Sequence, residues 1–200
     1  RDLSKWRLSC AQTTSYMFGG NDQFRGIHVV GHAVGRNINR WFVYNDGRLK
    51  NMEGMFYGAT RFKSPIDEWN TSNVTNMNNM FRNSRSFNQP IGNWNTGKVT
   101  DMTSTFNNSR AFNQSIGSWN TSSVTSMGGM FDNAAAFNQL IDDWNTTSVT
   151  AMGGMFNNDN SLSNAHRGLI HSSFSSNSNW PYSSWSAFVP APASITNANF

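Results

Sequence analysis

Apolar residues return along this chain with a period of 25. Phe56, Phe81, Phe106, Phe131 and Phe156 form one column, and Phe62, Phe87, Phe112 and Phe137 form a second that closes at Leu162. Ile66, Ile91, Ile116 and Ile141 follow, then Trp69, Trp94, Trp119 and Trp144, each succeeded by Asn. Val74, Val99, Val124 and Val149 each precede a Thr, and Met77, Met102, Met127 and Met152 lie three residues beyond the valines. The positions between the columns are mostly Asn, Ser, Thr and Gly. A unit of this length cannot bury its apolar face alone, whereas stacked units bury one continuous core. The pattern therefore predicts a repeat solenoid, with Phe above Phe and Trp above Trp.

Within a unit, Val74, Met77, Met80 and Phe81 have helix or 3₁₀ spacing. Thr71-Ser72-Asn73 supplies capping residues before them. Ser86–Ile91 reads as a short extended segment, in which Pro90 needs a position without a ladder N–H. Gly92-Asn93-Trp94-Asn95-Thr96 is turn chemistry around a buried ring. Asn88, Asn113 and Asn138 would stack about one strand spacing apart. They are expected to point inward and bond backbone or one another.

The ends are degenerate, as caps of a stack should be. Residues 1–12 read as an N-terminal arm and 13–52 as a degenerate repeat, marked by Met17-Phe18, Phe24, Ile38 and Trp41. The regular repeats span 53–164, and 165–188 form a helical cap with a helix over Ala165–Phe174. Asn179-Trp180-Pro181-Tyr182 is expected to fold over the last turn. Residues 189–200 are a Pro/Ala tail, a linker or a strand for a partner.

Composition fits a thin core. Of 200 residues, 37% are hydrophobic, 14% aromatic and 13% charged, and 29 are Asn. No apolar run reaches the roughly 20 residues of a spanning helix. The net charge is +4. The cations Arg25, Arg36, Arg40, Arg48, Lys50, Arg61 and Lys63 cluster early rather than along an aromatic groove, so no nucleic-acid partner is expected. Cys10 is the one cysteine and has no intrachain disulfide partner. The start at Arg1, without Met or leader, is read as a processed product or a fragment.

The W-N-T-S-x-V-T-x-M-x-x-M-F phrase over residues 55–164 resembles the BspA-like leucine-rich-repeat surface proteins. Residues 169–182 are similar to a C-terminal cap of that branch. Thr105 departs from its usual Met, and Gly97-Lys98 from its usual Ser-x pair. The resemblance implies a right-handed, leucine-rich-repeat-like solenoid. Each 25-residue coil would hold one short strand and one short helix or 3₁₀ turn, giving a parallel strand stack. It implies extracellular or cell-surface display in bacteria or similar microbes, and carries no catalytic residues.

Candidate chemistry is sparse. His28 and His32 have helical metal-ligand spacing, but valines and Gly31 separate them and no Cys or carboxylate accompanies them nearby. His166 and His171 fall on the cap helix without partners. Asp67, Glu68, Asp142 and Asp143 precede only two of the four tryptophans, which argues against a calcium column. No nucleophile elbow occurs. No catalytic residue, metal, cofactor or enzymatic activity is expected.

Six N-x-[ST] sequons, at Asn70, Asn73, Asn107, Asn113, Asn120 and Asn145, are glycosylation candidates. Two functional readings follow. One is a cell-surface module displaying a rigid face to a protein or glycan, as in adhesion. The alternative is a subunit of an extracellular, glycosylated fibre or layer. That subunit would join head to tail through Trp6, Trp41, Phe42, Val189, Ile195 and Phe200.

Overall fold

Successive 25-residue repeats lie directly over one another in the computed structural model, which describes residues 12–21, 38, 48–158 and 161–191. Five isolated parallel bridges run the length of the stack: Thr13 to Asn51, Asn51 to Asn76, Asn76 to Asp101, Asp101 to Ser126, and Ser126 to Ala151. Among the described residues no longer strand forms, so the strand expected in each unit is reduced to one bridging residue.

The segment read as helical from its spacing is instead a run of turns. The cause is the fate of its N–H groups. Met77, Asn79, Phe81 and Asn83 donate to Asp101, Thr103, Thr105 and Asn107 of the next repeat, at 2.8–2.9 Å. The alternate residues Met80, Arg82 and Ser84 donate three residues back within their own repeat. Half the donors a helix would use are thus spent between repeats. The same alternation recurs from Met52, Met102 and Met127.

This path needs two left-handed residues per repeat. Gly54, Asn79, Ser104, Gly129 and Gly154 occupy the first such position, and Gly58, Asn83, Asn108, Asn133 and Asn158 the second, all with φ between 53° and 68°. Each is the third residue of a turn, where a type II turn requires positive φ. Gly and Asn tolerate it best.

The apolar columns fill the interior. Phe56, Phe81, Phe106, Phe131 and Phe156 stack with centroids 5.5–5.7 Å apart. Phe62, Phe87, Phe112 and Phe137 stack at 5.8–6.2 Å. Within each repeat the two Phe rings stand 3.9–4.1 Å apart. At the N-terminal end Phe18 continues the first column, 5.6 Å from Phe56. Ile38 O accepts the Trp69 indole N–H at 2.8 Å, the bond that Trp94, Trp119 and Trp144 make to the Ile of the preceding repeat at 3.0 Å.

The C-terminal end is closed by helix α1 (Asn164–Phe174) and a 3₁₀ helix, Ser183–Phe188. Ser163 caps α1 by accepting the His166 N–H. Phe156 N–H, whose counterparts donate to a following repeat, here donates to the Tyr182 hydroxyl at 2.7 Å. Trp180, Tyr182 and Trp185 surround the Phe156 ring at 5.3–6.3 Å. Asn177 Nδ2 donates to the carbonyls of Thr146 and Val149, at 2.6 and 2.9 Å.

Candidate functional site

All the Phe, Ile and Trp columns are buried: the Phe and Ile columns entirely apart from Phe156 at 4%, and the tryptophans at 2–4%. Their rings are spent on the core. Any function must therefore sit on the outward side chains or at the ends.

Asn88, Asn113 and Asn138 are a correction to the inward placement expected of them. Asn113 is exposed and the other two are half-buried. The interior beside them is already filled by Phe87, Phe112 and Phe137. Their Oδ1 atoms accept backbone N–H groups of Asn113, Asn138 and Ser163 in the next repeat, at 2.9–3.0 Å. A second amide ladder joins Asn83, Asn108 and Asn133, at 2.7 and 2.9 Å. That ladder coincides with the left-handed column. It was missed in the sequence, although Gly or Asn at one repeat position was a readable signal.

Threonines make two further columns. Thr75, Thr100, Thr125 and Thr150 are exposed, with each hydroxyl donating to the carbonyl one repeat earlier. Thr71, Thr96 and Thr121 are buried and donate to the carbonyls of Asn95, Asn120 and Asn145. Thr105, the one departure in the Met column, donates to both Met77 O and Met102 O, so its buried hydroxyl is satisfied.

The six sequons separate by environment. Asn120 and Asn145 are exposed, and their Oδ1 atoms accept the N–H two residues on, at 3.1 and 2.9 Å. Asn70 makes the same turn and is half-buried. Asn73 accepts from Lys98 Nζ. Asn107 Nδ2 donates to Asp132 at 3.2 Å, and its sequon hydroxyl, Ser109, is buried against Phe81 O. Asn113 is occupied by Asn138 and Gln139.

Charge is segregated along the stack. Residues 48–110 hold eight Lys or Arg against four carboxylates, a net +4, whereas residues 111–158 hold three Asp and no cation. Arg85 and Arg110 occupy the same position of consecutive repeats. Arg82 Nη1 donates to Asn79 Oδ1, while its Nε is buried without a partner.

The cap offers little chemistry. His171 Nδ1 accepts the Trp180 indole N–H at 3.1 Å, and Arg167 lies 5.6 Å from the Trp185 ring centroid. A cleft between the last repeat and the cap is lined by Thr147, Thr150, Asn177 and Asn179, whose two amides are committed to carbonyls of Thr146 and Val149. Among the described residues no group of three or more His, Cys, Asp or Glu is placed to hold a metal, and no helix is long and apolar enough to cross a membrane. His28, His32, Trp6, Trp41, Phe42, Ile195 and Phe200 lie outside the described residues, and Val189 is 39% exposed.

A family model described as "Mycoplasma protein of unknown function, DUF285" matches residues 31–131 and again residues 91–183. No curated protein and no solved structure matches the chain.

Proposed function

The chain belongs to the DUF285 family, and on that premise we propose that it is a BspA-like, leucine-rich-repeat-type solenoid displayed outside the cell. It acts without catalysis, by holding a rigid outward face to a protein or glycan. One observation carries this reading: the repeats are joined by alternate backbone N–H groups and buried rings. The outward Asn and Thr columns brace that frame, while an outward position such as that of Arg85, Arg110 and Ala135 is left to vary. A rigid frame with variable outward positions is what a display module needs.

Surface display is tested on intact cells of the native source. Antibody labelling and protease shaving should reach the protein before the membrane is breached. Labelling only after lysis would refute it.

The alternative is the fibre subunit, which would join head to tail through a heterologous, open-ended contact. Negative-stain microscopy separates the two: filaments support the subunit, and separate particles support the display module.

A further inference from the structure

We propose that the edge formed by Lys63, Arg85 and Arg110 binds an anionic polysaccharide, a sugar chain bearing sulfate or carboxylate groups; this deepens the display reading and rests on it. The three cations flank the second Phe column in three consecutive repeats, Lys63 one residue after Phe62 and Arg85 and Arg110 two residues before Phe87 and Phe112. The corresponding segments, residues 57–63, 82–88 and 107–113, contain no carboxylate. All four carboxylates of residues 48–110 (Glu53, Asp67, Glu68 and Asp101) sit elsewhere in the repeat. One repeat further on, residues 132–138 hold no cation and begin with Asp132, so the patch ends abruptly.

Like charges at matching positions of stacked chain segments repel. Arg85 and Arg110 are such a pair, and both are exposed. Among the described residues Arg85 and Lys63 have no side-chain hydrogen bond or ion pair. Arg110 Nε donates to Asn108 Oδ1 at 2.9 Å, which fixes the side chain and leaves its terminal nitrogens for a ligand. A guanidinium fork matches sulfate and carboxylate oxygens bidentately. A polymer lying along the stacking axis would meet Arg85 and Arg110 in succession.

The surroundings favour sugar over nucleic acid. Asn88 and Asn113 border the cations, and although their Oδ1 atoms are committed to the next repeat, their Nδ2 groups can donate to hydroxyl groups. The Phe rings beneath are fully buried and offer no stacking surface to a base.

The test is affinity electrophoresis of the full chain in gels containing dextran sulfate, polygalacturonate or neutral dextran. Retardation is expected in at least one charged gel and absent in dextran. Dextran sulfate alone would assign sulfate, and polygalacturonate alone carboxylate. The Arg85→Gln/Arg110→Gln double variant should weaken retardation at least tenfold, with a urea midpoint at or above the wild-type value because both side chains are exposed and their repulsion is removed. Lys98→Gln, an exposed cation on another edge, should retain wild-type binding.

Equal retardation of the double variant and the wild type would overturn the assignment. So would equal weakening by Lys98→Gln, or stronger competition by poly(dT) than by either polysaccharide. Cell labelling is read independently, so the polysaccharide site can fail while surface display stands.

Discussion

Phe106 sits at the centre of the stack, and its truncation to Ala measures what the ring columns contribute. Its side chain is fully buried. It meets Phe81 at 5.6 Å, Phe131 at 5.7 Å, Phe112 at 3.9 Å and Trp119 at 6.1 Å. Removing a buried Phe costs about 3–5 kcal/mol in transfer and cavity terms. Aromatic pairs carry roughly 0.5–1.5 kcal/mol each beyond burial. Four such pairs place this site at the upper end, near 5 kcal/mol.

That is a large part of the roughly 5–15 kcal/mol stability of an ordinary domain. Urea unfolding followed by tryptophan fluorescence reads it as a lower midpoint. A reduced slope is also expected, because a stack coupled only through neighbours can break at the weakened joint. Thr125→Ala, which removes an exposed hydroxyl bonded to Thr100 O, serves as the control and should cost no more than about 1 kcal/mol. A loss below about 1 kcal/mol for Phe106→Ala would refute the ring-stack account.

Four further outcomes follow from particular contacts. Asn133 has φ 57°, so Asn133→Ala should be about 1 kcal/mol less stable than Asn133→Gly in urea melts, although both lose the same side-chain bond. Asn177→Ala removes donors from the Thr146 and Val149 carbonyls and should cost about 1–3 kcal/mol, with hydrogen exchange rising first in the last repeat. Gly168→Ala would place a Cβ 2.1 Å from Phe188 O; loss of protection confined to α1 and Ser183–Phe188 is expected by hydrogen exchange. Expression in a glycosylating secretory host should yield glycan masses at Asn120 and Asn145. A glycan at Asn107, whose amide is held by Asp132, would contradict that ordering of sites.

The columns were legible because side-chain burial has a period that sequence displays directly. Phe, Ile and Trp every 25 residues are the residues found buried. Helix α1 was legible too, from Ser163 before an amphipathic stretch, and the structure begins it at Asn164. The local backbone was not. Val74, Met77, Met80 and Phe81 have helical spacing whether the N–H of Phe81 bonds to its own repeat or to Thr105. Apolar periodicity reports which side chains are buried and not where backbone donors go. The informative signal was the second left-handed column, Gly58, Asn83, Asn108, Asn133 and Asn158. A helix interior does not select for Gly or Asn every 25 residues, whereas a turn with positive φ does.

The same backbone arrangement bears on where function can reside. Between repeats 77–84 and 101–107 the joint is made by four N–H groups and carbonyls that every residue type except Pro can supply. The inward columns, the two left-handed positions and the bracing Asn and Thr columns are then specified by the fold. Thr60, Arg85, Arg110 and Ala135 share one outward position and differ in size and charge, as expected where stacking imposes no choice. Arginine at two successive members of that column adds repulsion and makes no inward contact. Folding gains from the pair one exposed hydrogen bond, Arg110 to Asn108, whereas an anion lying across both would offset their repulsion.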